Sequence, residues 1–182
     1  MTSPSATYAP LLRNIHWATA VLFLLALFIG FYCGLQEPGT SPRRELLELH
    51  KSLGVTLFAL AILRVIVRLS TKVPPEPASF GPLVRLAARL NHAALYLILF
   101  AMPVTGYMFS SAGGYSLKYF WSFSWPRLFV GNKAIAEAGE AAHGALAYVV
   151  YLVVALHIAA TLWHVLVKRD DVLARMWPAR GA

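Results

Sequence analysis

Four long apolar segments decide what this chain can fold into. Three of them contain no Asp, Glu, Lys or Arg, namely residues 15–35, 91–117 and 141–167. The fourth, residues 50–69, is apolar between positions 53 and 63, and Arg64 and Arg68 near its end can extend to the interface. Because about 20 apolar residues cross a bilayer core of ~30 Å, we predict an all-α membrane protein, a four-helix bundle spanning about 13–35, 50–69, 88–110 and 141–167.

The composition agrees with lipid as the solvent. Of the 182 residues 58% are apolar and 13% are charged, whereas about a quarter of the residues of a soluble domain are charged. The first apolar segment exceeds the ~7–15 residues of a signal-peptide core, and the following GFYCGLQEP lacks a small-residue cleavage site. We therefore expect the first segment to be a retained membrane helix.

The basic residues are distributed unevenly between the two sides of the membrane. Four helices place both termini and the 70–90 loop on one side, which carries ten Lys and Arg residues: Arg13, Arg64, Arg68, Lys72, Arg85, Arg89, Lys168, Arg169, Arg175 and Arg180. The other side carries six: Arg43, Arg44, Lys51, Lys118, Arg127 and Lys133. Since Lys and Arg mark the cytoplasmic side, we expect cytoplasmic termini. Topology thus explains the net charge of +8 without a nucleic-acid partner.

Six histidines lie in or at the ends of the predicted helices: His16, His50, His92, His143, His157 and His164. A single histidine in a membrane helix can simply bond to a neighbouring helix. Six of them, with no carboxylate inside the predicted spans, are harder to explain in that way. We therefore interpret them as candidate ligands of a cofactor.

The spacing of the histidines predicts their depth in the membrane. His143 and His157 are fourteen residues apart, which is ~21 Å of rise and close to four full turns. They should share one helix face at two depths, His143 near the outer surface and His157 in the inner half. His50 begins the second helix at its outer end, and His16 begins the first at its inner end. Matching depths pairs His50 with His143 and His16 with His157.

Two facing imidazoles at each of two depths favour haem over other metal sites. Zinc or copper would need a cluster of ligands or nearby Cys, Asp and Glu side chains. A bis-histidine haem needs one imidazole on each side of the iron and a flat apolar slot, which a four-helix bundle can provide. Cys33 is the single cysteine and no CxxCH motif exists. We predict two non-covalent b haems, the inner one on His16 and His157 and the outer one on His50 and His143.

The fourteen-residue interval recurs at three further positions. Gly30 and Gly106 each follow a histidine by fourteen residues, and a glycine there would let a porphyrin lie against the backbone. Ordinary small-residue helix packing explains these glycines equally well. Arg64 lies fourteen residues after His50, at the inner depth, where it could pair with a haem propionate or simply extend to the interface.

The motifs around these histidines resemble those of the bacterial cytochrome b561 family. They are NIHW, ELHKSLG, VIVRL, LNHAALYLILFAMPVTGY and AAHGALAYVVYLVVALHIAATLWH, in that order. The resemblance covers about residues 8–178 and implies one dihaem cytochrome domain of four helices in the bacterial inner membrane. It implies the ligands His16, His50, His143 and His157, the same set that depth pairing predicts. The best-understood type of member oxidises periplasmic superoxide to O₂ and reduces ubiquinone.

The resemblance therefore implies an enzyme, a superoxide:ubiquinone oxidoreductase with no catalytic side chain beyond its haems. Superoxide is an anion that would react from the outer aqueous side. The loop cations Lys118, Arg127 and Lys133, facing Arg43, Arg44 and Lys51, could steer it there. They could equally be ordinary solvated loop charges.

His164 is the candidate at the quinone end. It follows His157 by seven residues, which places it on nearly the same face close to the inner surface. There an imidazole could hydrogen-bond a quinone carbonyl and supply a proton. His92 and Arg89 lie at comparable depth and are candidates for contact with the quinone or a propionate. Alternatively, His164 or His92 bonds only a propionate or a backbone carbonyl.

Two other functions stay open from the sequence. One is a dihaem b electron-transfer and membrane-anchor subunit for a partner dehydrogenase or hydrogenase. The other is a cytochrome that recycles a different periplasmic reductant. Short extramembrane segments favour the self-contained oxidoreductase over the anchor subunit, which often carries extra contacts for its partner.

Overall fold

The computed structural model describes residues 7–77 and 80–177. It contains four long helices: α1 (Pro10–Gly34), α2 (Arg43–Ser70), α3 (Pro82–Ala112) and α4 (Lys133–Trp163). A five-residue π-helical turn, His164–Lys168, follows α4 directly. Arg180 and the predicted domain end at residue 178 lie outside the described residues. All four helices are long and apolar enough to cross a membrane, which confirms the predicted fold class.

Local sequence signals mark where several helices begin. Pro10 and Pro82 stand in the first turns of α1 and α3, where proline's missing N–H costs no helical hydrogen bond. The side chain of Asn132 caps α4 by accepting the Ile135 N–H at 3.1 Å. The helices therefore begin outside the most apolar segments, at residues suited to helix starts.

The loops between the helices are shorter than the predicted spans imply. Helices α2, α3 and α4 begin six to eight residues before the predicted spans, so residues 43–49 and 133–140 are helical where we expected loop. Hydropathy marks only the part of a helix that lies in lipid. The polar turns beyond it continue the same backbone hydrogen bonds in water.

The helices pack in chain order around the bundle, α1 against α2, α2 against α3 and α3 against α4. We name the two ends of the bundle outer and inner after the predicted orientation, with the described termini at the inner end. At the outer end, Ala26, Ile29 and Cys33 of α1 form a buried cluster with Leu53 and Leu57 of α2. Large apolar side chains on the remaining faces are exposed, as in Phe28, Leu97 and Leu152. In a bilayer these faces contact lipid, so their exposure fits a membrane bundle.

One contact between α3 and α4 depends on a glycine and gives a first testable prediction. A Cβ placed on Gly139 of α4 would lie 2.6 Å from Phe109 N and 3.0 Å from the Thr105 carbonyl oxygen, both in the backbone of α3. We expect Gly139→Ala to force α3 and α4 apart and to cost about 1–3 kcal/mol of stability. Thermal unfolding in detergent measures this loss. Gly144→Ala is the matched control, because a Cβ on Gly144 of the same helix meets nothing within 4 Å. Equal melting temperatures for the two variants would contradict the prediction.

The long outer loop contains a small hairpin that the sequence did not predict. Strands β1 (Lys118–Tyr119) and β2 (Phe123–Ser124) pair antiparallel. Ser52 on α2 accepts the Phe120 N–H at 2.9 Å, and Thr56 Oγ1 lies 3.1 Å from the Tyr119 hydroxyl. These bonds attach the hairpin to α2 immediately after His50.

The inner end of the bundle is closed by residues 169–177, which fold back onto α1. Trp17 Nε1 donates to the Met176 carbonyl at 2.8 Å, and Arg13 donates to the Trp177 carbonyl at 3.1 Å. The Trp17 and Trp177 rings meet edge to face at 5.4 Å between centroids. The described N-terminal and C-terminal segments therefore lie at the same end of the bundle.

Candidate functional site

At the outer end, His50 of α2 faces His143 of α4. The ring centroids are 6.2 Å apart and the planes cross at 85°. His50 Nδ1 lies 2.9 Å from the Ala26 carbonyl oxygen, and His143 Nδ1 lies 3.1 Å from that of Met102. A carbonyl can only accept, so each Nδ1 carries the proton and each Nε2 is a free electron-pair donor. This is the arrangement in which histidine binds a metal.

Two glycines make room for these outer imidazoles. A Cβ on Gly30 of α1 would lie 3.0 Å from His50 Cε1, and a Cβ on Gly106 of α3 would lie 3.0 Å from His143 Cε1. The sequence left open whether these glycines give space to a porphyrin or serve ordinary helix packing. In the structure the space is taken by the imidazoles, which pack directly against the backbone of α1 and α3.

At the inner end, His16 of α1 faces His157 of α4, with centroids 6.3 Å apart. His92 of α3 also reaches this end, 5.5 Å from His157 between centroids. The structure therefore brings together both pairs that depth predicts. It also places His92 beside the inner pair, away from His164.

Arg64 lies at the inner pair, at the depth that its spacing predicts. Its Nη1 donates to His16 Nδ1 at 2.8 Å, and its Nε donates to the Tyr96 hydroxyl at 3.2 Å. A neutral His16 then carries its proton on Nε2. Metal binding at Nε2 requires that proton on Nδ1 instead, so Arg64 must turn to another acceptor when His16 becomes a ligand. The sequence did not reveal Tyr96 as a partner of Arg64.

Each of the two histidine pairs could hold a haem iron between its imidazoles. Two metal–imidazole bonds of about 2.0–2.1 Å each, together with the distance from each nitrogen to its ring centre, account for separations near 6.2 and 6.3 Å. Within residues 7–77 and 80–177 no group of three or more His, Cys, Asp or Glu side chains could hold a metal ion. Each site thus offers two imidazoles that face each other, with Arg64 and His92 beside the inner pair, which suits a planar cofactor that supplies the other ligands itself.

His164 lies apart from the inner cluster. Its Nδ1 is 2.6 Å from Asp170 Oδ2, and the ring of Phe80 packs on it at 4.9 Å between centroids. We missed Asp170 because six residues along a regular helix would place it on another face. The π-helical turn after Trp163 brings it back beside His164.

Arg89 is not brought next to His164, His92 or the inner pair by any described contact. Its guanidinium holds Glu76 in a bidentate pair, with Nε–Oε1 at 2.8 Å and Nη2–Oε2 at 3.1 Å. The hydrogen bond from Arg89 holds the pKa of the Glu76 carboxyl below its usual value. Arg89 thus connects α3 to the inner loop, and its predicted role at a quinone or propionate stays untested.

The six outer cations fall into two groups. Three pair with glutamates: Arg44 with Glu45, Lys51 with Glu48, and Lys133 with Glu137. Arg43 and Arg127 donate instead to the backbone carbonyls of Cys33 and Gly114, and no ion pair of Lys118 occurs among the described residues. Arg43, Lys118 and Arg127 are therefore the outer cations without an ion pair among the described residues. Five glutamates at this end, which include Glu37 and Glu140, leave it a net charge of +1.

Comparison with known proteins decides the family. A sequence profile described as prokaryotic cytochrome b561 matches residues 7–179. The chain belongs to the prokaryotic cytochrome b561 family. Membership confirms the resemblance found in the sequence and makes the chain a multi-pass bacterial membrane protein of electron transfer, with haem b as the implied cofactor.

Individual relatives are similar to this chain over nearly its whole length. Cytochrome b561 homolog 2 of Escherichia coli (strain K12) is 32% identical, over 96% of this chain and 93% of its own length. A probable superoxide oxidase CybB of Yersinia pestis is 28% identical, over 95% of this chain and 97% of its own. Cytochrome b561 homolog 1 of Escherichia coli (strain K12) is 27% identical, over 91% of this chain and 94% of its own length. Each of these matches therefore covers more than nine-tenths of both chains.

Proposed function

We propose that this cytochrome b561 is a dihaem superoxide:ubiquinone oxidoreductase. The observation that supports this most strongly is the repetition of one geometry at two depths, two imidazole pairs from different helices at 6.2 and 6.3 Å. Two bound haems would supply one-electron carriers at the outer and inner levels of the membrane. The balanced reaction is 2 O₂•⁻ + ubiquinone + 2 H⁺ → 2 O₂ + ubiquinol.

Under this proposal the helices supply all four iron ligands. His50 and His143 would hold the outer haem iron, with their Nδ1 protons directed to the carbonyls of α1 and α3. His16 and His157 would hold the inner one. Arg64, which contacts His16 Nδ1, would then bind an inner propionate, because an anion is a better acceptor for guanidinium than a neutral imidazole. Tyr96, already bonded to Arg64 Nε, would keep the guanidinium nearby.

We place the reaction with superoxide at the outer surface, beside the loop that carries Lys118 and Arg127. A local excess of positive charge raises the encounter rate of an anion. Three neighbouring cations are paired with glutamates, so the field there is modest. The name of the Yersinia pestis relative supports superoxide as the donor.

We place the quinone end at His164, directly after the last residue of α4. Trp163 and Leu166 beside it are exposed by 53% and 66%, so the surface next to the imidazole faces lipid, the phase in which ubiquinone is dissolved. Within the described residues no protein group bonds His164 Nε2. That nitrogen can hydrogen-bond a quinone carbonyl and deliver a proton to it.

A second candidate is the electron-transfer and anchor subunit. The aromatic side chains of the outer hairpin favour it, because Trp121 and Phe123 are 56% and 53% exposed. Aromatic residues at such a position suit either the lipid headgroup region or a protein partner. A dehydrogenase that stays bound during purification would support this candidate.

The purified cytochrome in ubiquinone-containing liposomes distinguishes the two. With an enzymatic source of superoxide, the oxidoreductase should show haem reduction followed by ubiquinol and O₂ formation. Superoxide dismutase should abolish both signals. Haems that stay oxidised under a superoxide flux, in a preparation that dithionite reduces fully, would contradict the proposal.

A further inference from the structure

The chain around His164 has an unusual backbone. The helix widens into a π-helical turn over His164–Lys168, and Arg169 ends it in the left-handed region with φ 53°. The Asp170 N–H then donates to the His164 carbonyl at 3.2 Å. Single π turns inside or at the end of α-helices are often functional. Here the turn reverses the chain so that the side chains of Asp170 and His164 meet.

The two side chains form a half-buried pair. Asp170 Oδ2 lies 2.6 Å from His164 Nδ1, while Oδ1 accepts the Val172 N–H at 3.2 Å. The side chains are 22% and 13% exposed, and the Phe80 ring covers one face of the imidazole. Both carboxylate oxygens are thus engaged, and the imidazole cannot rotate without losing its partner. Nε2 is directed away from the pair.

Within the described residues no contact joins a Lys or Arg side chain to His164. Phe80, whose ring packs on His164, accepts from Arg85 Nε at 2.9 Å through its carbonyl. Arg85 and Arg89 both face Glu76, at 3.9 and 2.8 Å. Within the described part of the chain, Asp170 is the acidic side chain that contacts His164. The pair therefore has the form of a base oriented by a carboxylate.

We propose that Asp170 is a positioning residue for proton delivery to ubiquinone. It holds the His164 imidazole with Nδ1 toward Asp170 and Nε2 directed outward, where Nε2 can meet a quinone oxygen. This inference rests on the quinone-reducing function proposed above. Ubiquinone takes two electrons, from two superoxide anions, and two protons to become ubiquinol. Each proton leaves His164 Nε2 for a quinone oxygen, and water on the inner side restores it.

The test compares Asp170→Asn with Asp171→Asn in the full haem-loaded protein. Haems reduced with dithionite are mixed with ubiquinone-1 after the excess reductant has been removed, and their reoxidation is followed by absorbance. We expect the reoxidation rate at saturating ubiquinone-1 to fall about tenfold or more in Asp170→Asn, because a positioned general acid contributes about 10²–10⁴-fold. The ubiquinone-1 concentration that gives half of this rate should change little. Asp171→Asn should match the wild type. Asp170→Glu should recover part of the rate.

The recovery by Asp170→Glu separates a positioning role from a structural one, because a carboxylate one methylene longer can again orient the imidazole. An unchanged haem content and reduced-minus-oxidised spectrum shows that Asp170→Asn folds. Equal reoxidation rates for Asp170→Asn and Asp171→Asn would overturn the role of Asp170 and leave the oxidoreductase intact. Wild-type haems that ubiquinone does not oxidise would overturn the quinone function and this inference together.

Discussion

The His50→Ala protein should carry about one haem per chain, where the wild-type protein should carry about two. His143 would be left without a partner across the outer gap of 6.2 Å. The inner pair lies at the other end of the bundle and shares no ligand with it. The haem-to-protein ratio and the reduced-minus-oxidised spectrum measure the loss. His16→Ala should lose the other haem, so that the two difference spectra add up to that of the wild type.

His92→Ala is the control that this prediction needs. His92 lies 5.5 Å from His157 and is the alternative inner ligand. The His16–His157 separation of 6.3 Å is nearly that of the outer pair, so we assign the iron to His16 and expect His92→Ala to keep both haems. If His92→Ala loses the inner haem and His16→Ala retains it, then His92 and not His16 is the inner ligand. A folded wild-type protein without haem would contradict the whole ligand assignment.

Gly106→Leu should remove the outer haem without touching a ligand. Even a Cβ at this position would lie 3.0 Å from His143 Cε1 and 3.2 Å from Nδ1, so a leucine must displace the imidazole from the position where it faces His50. A haem content of about one per chain, with the inner spectrum intact, is the expected result. Gly30→Leu should act in the same way through His50.

Gly144→Leu provides the matched comparison, because Gly144 is next to His143 but exposed, and a Cβ there meets nothing within 4 Å. It should keep both haems. If Gly106→Leu also keeps both, the outer imidazole does not need the contact with α3, and Gly106 serves helix packing only. If both variants lose haem, substitution at this level acts through general instability.

The sequence alone was sufficient for the membrane fold and for the pairing of histidines by depth. A helix rises a constant distance per residue, so fourteen residues place His143 and His157 at two levels whatever surrounds them. The same reasoning placed Arg64 at the inner level. The ends of the helices were predicted less well, because hydropathy reports the part in lipid while polar residues such as those at 43–49 extend α2 into water.

Only the tertiary structure decided which atoms meet. Gly30 and Gly106 touch imidazoles of other helices, and Gly139 instead holds α3 against α4, although all three are glycines in helical sequence. Every residue has a backbone carbonyl, so no sequence pattern marks Ala26 or Met102 as the residue that orients His50 or His143. Asp170 reaches His164 because a π turn changes the number of residues per turn. The depth of a residue along its helix follows from its position in the sequence, because the rise per residue is constant. Contacts between helices depend on how the whole bundle packs.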